Sequence, residues 1–485
     1  MNKAGLKGSM LSLLGFAVLA LANHYISLSL AIYLSVALSC AITGHFVYVN
    51  RANGFSFANF FFLGSFVFFP AAVMLLLTLP DPVLSIEQEY WDAVPRVLQL
   101  YIFSLIAFWV GYLHFAKRAS SRSFEQYTNF PLPTFRVNFL LVSSVAIYVF
   151  VGIMSGTYFH IAISGEFNAG FVESFGFFQY FVFLGNVGVA FQLIRAIRYK
   201  TRKEIWGLVI LLSLMLAFLF PSGSRRHVVF LFALVMYFFI WSHQSVPARV
   251  RFGLISLVAI FLMLPLMETF RLVAGNTGGL FEKLSALVNI ITTLNFGEND
   301  QYSGLLLATI VAARRISDFC SVAHIMSFYD ASAYRSIADI AEGLLYALPN
   351  GLRPPISLSM IYDAELMRDI GFRTHSPGSA PMMFLGDAYS FGGYFSVAAI
   401  FFIVGILFGF ADRFICRPSQ VSFFVFIFLL DQALSLPAYS VVKVYIFFSR
   451  QILIAILIYL IIRLFIKEKR CVNVITLAPA ERGVL

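Results

Sequence analysis

Nothing constrains the fold of this chain more than its long apolar runs. They are continuous, as in Leu208–Phe220 and Phe423–Leu430, and lack the period-two alternation of a barrel strand. Twelve can be marked, at about Leu11–Ala22, Ser27–Tyr48, Phe57–Leu79, Leu98–Ala116, Val137–Ser155, Phe175–Ile194, Ile205–Phe220, Val228–Trp241, Gly253–Met267, Phe391–Phe410, Val421–Leu436 and Gln451–Ile466. With 60% hydrophobic and 12% charged residues, no soluble core accounts for so much apolar surface. The expected class is an all-α polytopic membrane protein with about 12 transmembrane helices. Ala20-Leu-Ala22 before Asn23 has the form of a signal-peptidase site, but a retained first helix fits a polytopic start as well. The second run crosses from outside to inside under either reading.

Charge sets the orientation. With the N-terminus cytoplasmic and the helices alternating, 21 of the 34 Lys and Arg residues fall inside, from Lys3 and Lys7 to Lys467, Lys469 and Arg470. Only Glu125, Glu204, Asp412, Glu468 and Glu481 of the 24 acids join them; Asp431 falls within an apolar run. Positive-inside bias then places both termini in the cytoplasm and explains the net charge of +10 without a nucleic-acid partner. The four cysteines, Cys40, Cys320, Cys416 and Cys471, imply neither a metal site nor a disulfide framework.

The same alternation turns one long polar interval outward, about residues 271–387, between a bundle over 1–270 of about nine helices and one over 388–485 of about three. In a diderm host this is a periplasmic loop, and the membrane is the inner one. It holds Leu348-Pro-Asn-Gly-Leu-Arg-Pro-Pro355 and Arg373-Thr-His-Ser-Pro-Gly-Ser-Ala-Pro381. Partly helical content is expected, at Ser303–Tyr329 and Tyr334–Ala347, before Pro349, Pro354 and Pro355 stop helix formation. The Ser303–Tyr329 helix could lie on the membrane surface or against the bundle. No internal repeat is visible, which weighs against a repeat-built transporter.

Several residues in outward segments could carry chemistry. Arg225 and Arg226 follow Pro221-Ser-Gly-Ser224 in a break between two apolar runs. Guanidinium forks suit phosphate and pyrophosphate, and small residues let backbone N–H groups approach an anion. The plainer reading is an interfacial loop whose arginines reach lipid headgroups. Arg271 could close a helix end with Glu268, and Arg314 and Arg315 with Asp318 could form a solvated helix face. Arg353 is held between Leu352 and two prolines. His375 could serve as a base near neutral pH. Asp387 could stabilise a helix N-terminus, act as a base, or bind a sugar hydroxyl. Asp431 could pair with Lys443 or Arg450. There is no P-loop, His-Glu-x-x-His or Asp-x-Asp motif to support nucleotide-driven or metal-hydrolase chemistry.

The outward Ser-Gly-Ser-Arg-Arg break, the late loop, and the proline-arginine segment followed by Gly386-Asp387-Ala-Tyr389-Ser-Phe391-Gly392 resemble the O-antigen polymerases, the Wzy-type oligosaccharide repeat-unit polymerases. The layout covers nearly the whole chain; the sharp motifs cover residues 220–227 and 347–393. Asp387 stands where the family often has Glu, Arg353-Pro354 replaces a lysine-proline, and one residue fewer separates Tyr389 from Phe391. The resemblance implies glycosyl transfer at the periplasmic face, using undecaprenyl-pyrophosphate-linked oligosaccharide and no cofactor. It implies a chain-length regulator and a flippase as possible partners, beside the lipid bilayer. Cations would stabilise the leaving pyrophosphate, a role for Arg225, Arg226, Arg314 and Arg353; Asp387 or His375 would receive the attacking hydroxyl's proton. Arg271, Arg315 and Tyr389 complete the expected binding set. Two other readings compete: an O-antigen ligase acting on lipid A core, and a lipid-linked-oligosaccharide flippase.

Overall fold

A computed structural model describes residues 27–50, 56–77, 88–115, 130–154, 169–219, 225–242, 319–336, 383–415 and 420–438, with single residues or pairs at 285, 440–441, 456 and 459–460. The described residues are helical, with no strand among them. Among the described residues, six helical stretches are long and apolar enough to cross a membrane: Leu28–Val49, Phe57–Met74, Tyr90–Phe115, Phe135–Gly152, Tyr180–Tyr199 and Gly393–Arg413. The molecule is an α-helical membrane protein.

In chain order the helices are α1 Leu28–Val49, α2 Phe57–Phe66, α3 Ala72–Leu77, α4 Gln88–Phe115, α5 Phe135–Ser143, α6 Val145–Met154, α7 Ala169–Tyr199, α8 Arg202–Leu219, α9 Arg225–Ser242, α10 Phe319–Ala331, α11 Phe384–Ser390, α12 Gly393–Ile415 and α13 Gln420–Ser435. A π-helical turn, Val67–Ala71, joins α2 to α3 and contains Pro70. Proline removes a backbone donor and crowds the preceding turn, and the wider turn absorbs it without breaking the rod. α8 ends at Leu219 and α9 begins at Arg225, and residues 220–224 between them lie outside the described residues.

α4 and α12 form the spine of the bundle. They run parallel: Phe103 meets Tyr394 near one end (5.6 Å between ring centroids) and Phe115 meets Phe410 near the other (4.3 Å). Two glycines make the crossing possible. A Cβ at Gly111 would lie 2.1 Å from the Phe402 carbonyl oxygen, and one at Gly405 would lie 2.1 Å from that of Phe108. In a membrane, where lipid is as apolar as Leu, such close backbone contact is a principal source of helix association. α2 meets α13 in the same way, with a Cβ at Gly64 reaching 2.2 Å from the Leu434 carbonyl oxygen. Stacked aromatics fill the spaces between, including Phe61 on Phe108 (4.4 Å) and Phe46 on Trp109 (4.9 Å).

Beside this spine, α7 and α8 fold back on one another. Arg195 and Glu204 bridge the turn, and Gln192 Nε2 donates to Glu204 Oε2 at 2.8 Å. Arg195 Nη1 also donates to the Pro133 carbonyl (3.0 Å), and Asn138 Nδ2 to Gln192 Oε1 (3.1 Å), which ties in the start of α5.

α4 has 28 residues, about 42 Å at 1.5 Å per residue. That exceeds a hydrocarbon core of about 30 Å, so part of the helix reaches beyond it. Its first turns carry Asp92 and Arg96, with Pro95 between them, and against them sits α10. Of the expected Ser303–Tyr329 helix, residues 319–331 form α10, packed against the bundle rather than apart from it, and 303–318 lie outside the described residues. Of the expected Tyr334–Ala347 helix, Tyr334–Ser336 are not helical and 337–347 lie outside the described residues. The backbone N–H of Arg335 instead donates to the Ser390 carbonyl at 2.9 Å.

Candidate functional site

Three short elements meet at one end of the α4–α12 spine: the first turns of α4, the end of α10 with the segment after it, and α11. α11 is a seven-residue helix whose Gly386 lies on α10, where a Cβ would come within 2.8 Å of Ile325 Cδ1. The chain then turns into α12 through Gly393, at φ +64°, a left-handed conformation that glycine adopts without strain. Ser396 Oγ fastens that turn by donating to the Ala388 carbonyl at 2.6 Å.

α11 carries Asp387, which pairs with Arg335, and Tyr389, which meets the Arg96–Asp330 pair. Asp387 is fully buried. Its Oδ1 accepts from Arg335 Nη1 at 2.8 Å, and its Oδ2 accepts from the Val441 backbone N–H at 2.7 Å. Arg335 Nη1 also reaches Ser390 Oγ at 3.3 Å, and its guanidinium lies over the Phe391 ring at 4.5 Å. Two residues on, the Tyr389 hydroxyl donates to Asp330 Oδ1 at 2.6 Å. Asp330 Oδ2 is bridged by Arg96 Nη2 at 2.5 Å, and the same nitrogen lies 3.4 Å from the Tyr389 hydroxyl.

Exposure separates the two pairs. Arg335 and Asp387 have side chains 8% and 0% exposed; Arg96 and Asp330 are 47% and 31% exposed. Burial of the Tyr389 ring, and then its hydrogen bond to Asp330, push the phenol above its usual range, so it is a hydroxyl donor at neutral pH. Tyr334 stands over the cluster, 46% exposed, stacked on Tyr329 and edge-on to Tyr389, both at 6.3 Å.

The geometry gives Asp387 work other than proton transfer. Both of its oxygens are engaged and neither meets solvent, so it anchors Arg335 and the chain at Val441. It lies in the first turn of α11, where an acid suits a helix N-terminus, and ties that short helix to the segments at Arg335 and Val441. The exposed members of the cluster are Arg96, Asp330 and Tyr334.

Of the residues singled out by sequence, Asp387 and Tyr389 come together here. Arg225 and Arg226 open α9, described in backbone only, as is Asp431 within α13. Arg271, Arg314, Arg315, Arg353 and His375 lie outside the described residues. Arg96, Asp330 and Arg335 were not singled out. Arg96 lies two residues before an apolar run, where a bordering charge is ordinary, and its partner is more than 200 residues away. A chain-wide search for arginines beside run ends would have included Arg96, but not its pairing.

Among the described residues, no group of three or more His, Cys, Asp or Glu side chains could hold a metal ion. Comparison with known proteins finds no matching family model, no matching curated protein and no matching solved structure.

Proposed function

We propose that this chain is an inner-membrane glycosyltransferase that polymerises undecaprenyl-pyrophosphate-linked oligosaccharide repeat units into O-antigen or a related surface polysaccharide. The observation that carries the reading is the setting of Gly386-Asp387-Ala-Tyr389. The segment that most resembles the O-antigen polymerases stands, in α11, at a half-exposed polar cluster on one end of the bundle. A transferase working on a membrane-anchored donor needs polar groups held rigidly at the end of its helices, where lipid-linked headgroups lie.

In this reading the chain has twelve spans, with residues 271–387 as a loop on the periplasmic face and both termini cytoplasmic. The growing chain moves from its pyrophosphate carrier onto the non-reducing end of a new lipid-linked unit. The bond from the anomeric carbon to the carrier's pyrophosphate breaks, the carrier pyrophosphate leaves intact, and its stability as a leaving group supplies the activation, so no nucleotide sugar is required. Arg225, Arg226, Arg314 and Arg353 stabilise the departing pyrophosphate, Arg271 and Arg315 assist, and His375 takes the hydroxyl proton. Asp387 is a positioning residue that holds Arg335. A flippase supplies the substrate, and a chain-length regulator is a further partner.

The test is the surface-polysaccharide ladder of a deletion strain carrying wild type or Arg225→Ala. Loss of long chains with single repeat units left on the lipid carrier is the expected result in both the deletion and the variant. Long chains persisting in the Arg225→Ala strain would remove that residue from the site. A deletion that strips short and long glycan alike from lipid A core would identify a ligase, and accumulation of units on the cytoplasmic leaflet a flippase.

A further inference from the structure

We propose that the half-exposed face formed by Arg96, Asp330 and Tyr334 is a subsite for an uncharged saccharide ring, separate from the groups that hold pyrophosphate. The proposal rests on the glycosyltransferase reading and assigns one part of the substrate to one part of the site.

Charge balance is the first argument. Among the described residues the cluster contains two arginines and two aspartates, each arginine within 2.8 Å of its carboxylate. A pyrophosphate placed here would face carboxylates at close range, and the two described arginines carry no charge beyond what those carboxylates balance. It would have to displace Asp330 from Arg96 before gaining a forked contact. A sugar hydroxyl faces no such conflict, because it both donates and accepts. A carboxylate beside a guanidinium offers one acceptor and one set of donors for two hydroxyls on neighbouring ring carbons.

Aromatic geometry is the second. Tyr334 is half exposed yet held firmly. It stacks on Tyr329, meets Tyr389 edge-on, and its hydroxyl packs at Gly393, where a Cβ would come within 2.9 Å. A ring fixed from behind and open in front offers an apolar face to the C–H side of a pyranose at little entropic cost. The hydrogen bond from Tyr389 holds the Asp330 carboxylate, and the same Tyr389 ring meets Tyr334, so one residue fixes both groups. Arg335 takes no direct part: it is buried against Asp387 and Phe391 and supports the segment that carries Tyr334.

Binding to purified full-length protein in detergent tests this, with two probes. One is the oligosaccharide released by mild acid from the host's own surface polysaccharide; the other is inorganic pyrophosphate. Tyr334→Ala and Asp330→Asn are each expected to weaken oligosaccharide binding at least tenfold and to leave pyrophosphate binding within twofold. Tyr334→Trp retains the platform and is expected to bind the oligosaccharide as well as wild type; it shows that loss in the alanine variant reflects the face and not the fold. The proposal is overturned if pyrophosphate competes with the oligosaccharide, or if Tyr334→Ala binds it like wild type. The deletion ladder separates this from the parent reading. Long chains lost on deletion, with oligosaccharide binding unchanged in Tyr334→Ala, would sink the subsite alone. Tyr334-dependent binding in a protein whose deletion spares long chains would sink the polymerase reading alone.

Discussion

Asp387 and Asp412 are both buried carboxylates, one just before α12 and one in its last turns, and their surroundings differ in kind. Asp412 Oδ2 accepts from Ser56 Oγ at 2.6 Å and from the Tyr112 hydroxyl at 2.8 Å; its Oδ1 accepts from the Phe57 backbone N–H at 2.7 Å. Around these lie Asn50 and Asn59, with Asn50 Nδ2 donating to Ser56 Oγ at 2.8 Å and to Asn59 Oδ1 at 2.9 Å. All five side chains are buried, and every partner named for Asp412 is neutral. Asp412 thus caps the N-terminus of α2 from another helix, where backbone N–H groups and the helix dipole favour negative charge. At the other end, about 24 Å away if measured along α4 from Arg96 to Tyr112, the carboxylates meet guanidinium groups, and one pair is open to solvent. The first arrangement closes a joint between α2, α4 and α12. The second leaves polar groups within reach of a ligand. Burial of an acid in a membrane bundle is therefore not enough to mark a site; the kind of partner and the access to it decide.

Removing Asp412 gives the largest expected effect. Asp412→Ala removes the acceptor of the Phe57 N–H and leaves the Ser56 and Tyr112 hydroxyls their longer contacts, with each other at 3.5 Å and from Tyr112 to Asn50 Oδ1 at 3.3 Å. The stranded N–H alone costs about 1–3 kcal/mol, and two short charge-assisted hydrogen bonds from the hydroxyls are lost with it at about 1.5–3 kcal/mol each. The expected outcome is a sharp fall in Tm of the detergent-solubilised protein and in its amount in the membrane, with polymer falling in proportion. If protein and Tm hold while polymer vanishes, the contrast between the two ends fails and the Asp412 joint is part of the chemistry.

A double-mutant cycle on Arg335 and Asp387 sharpens the contrast. Each single change, Arg335→Met or Asp387→Asn, leaves a buried partner uncompensated, at about 3 kcal/mol. The double variant removes both charges and is expected to recover about 1–3 kcal/mol relative to the sum of the singles, read as Tm. Polymer should stay low in all three strains, because stability returns without the arrangement that sets α11 and the Tyr334 segment. Full recovery of polymer in the double variant would mean that the pair serves stability alone.

How much of this could be read from the chain is decided by range. Apolar runs report helices because the bilayer imposes one solution on every span, and Leu28–Val49 and Gly393–Arg413 follow their runs within a few residues. The N-terminal reach of α4 back to Gln88 was not legible, since Asp92, Pro95 and Arg96 look like a loop until α10 packs on them. Asp387 and Tyr389 were visible because local sequence carried them. Their partners Asp330, Arg335 and Arg96 lie 59, 52 and 293 residues away, and a single sequence contains no record of such pairing. The Asp412 joint is hidden for the same reason: in the sequence Asp412 is one acid beside an apolar run, 356 residues from Ser56.

The smallest expected effect comes from one oxygen. Tyr389→Phe keeps the ring against Tyr334 and Tyr394 and removes the donor to Asp330, leaving the Arg96 bridge in place. A single hydrogen bond of this kind contributes about 1 kcal/mol, so Tm should fall modestly and the polysaccharide ladder should shorten rather than disappear. The pH dependence gives the check on cause. Burial and Asp330 raise the phenol's folded pKa, so the folded chain holds that proton more tightly than the unfolded chain does. Its stabilisation is complete below the unfolded value of roughly 10 and is lost as pH climbs past it. The stability gap between wild type and Tyr389→Phe should accordingly stay constant from about pH 6 to 9 and narrow above about 10. A gap that changes between about pH 6 and 9 would trace the effect to another titrating group, and Tyr389 would no longer be what holds Asp330 at the open end of the bundle.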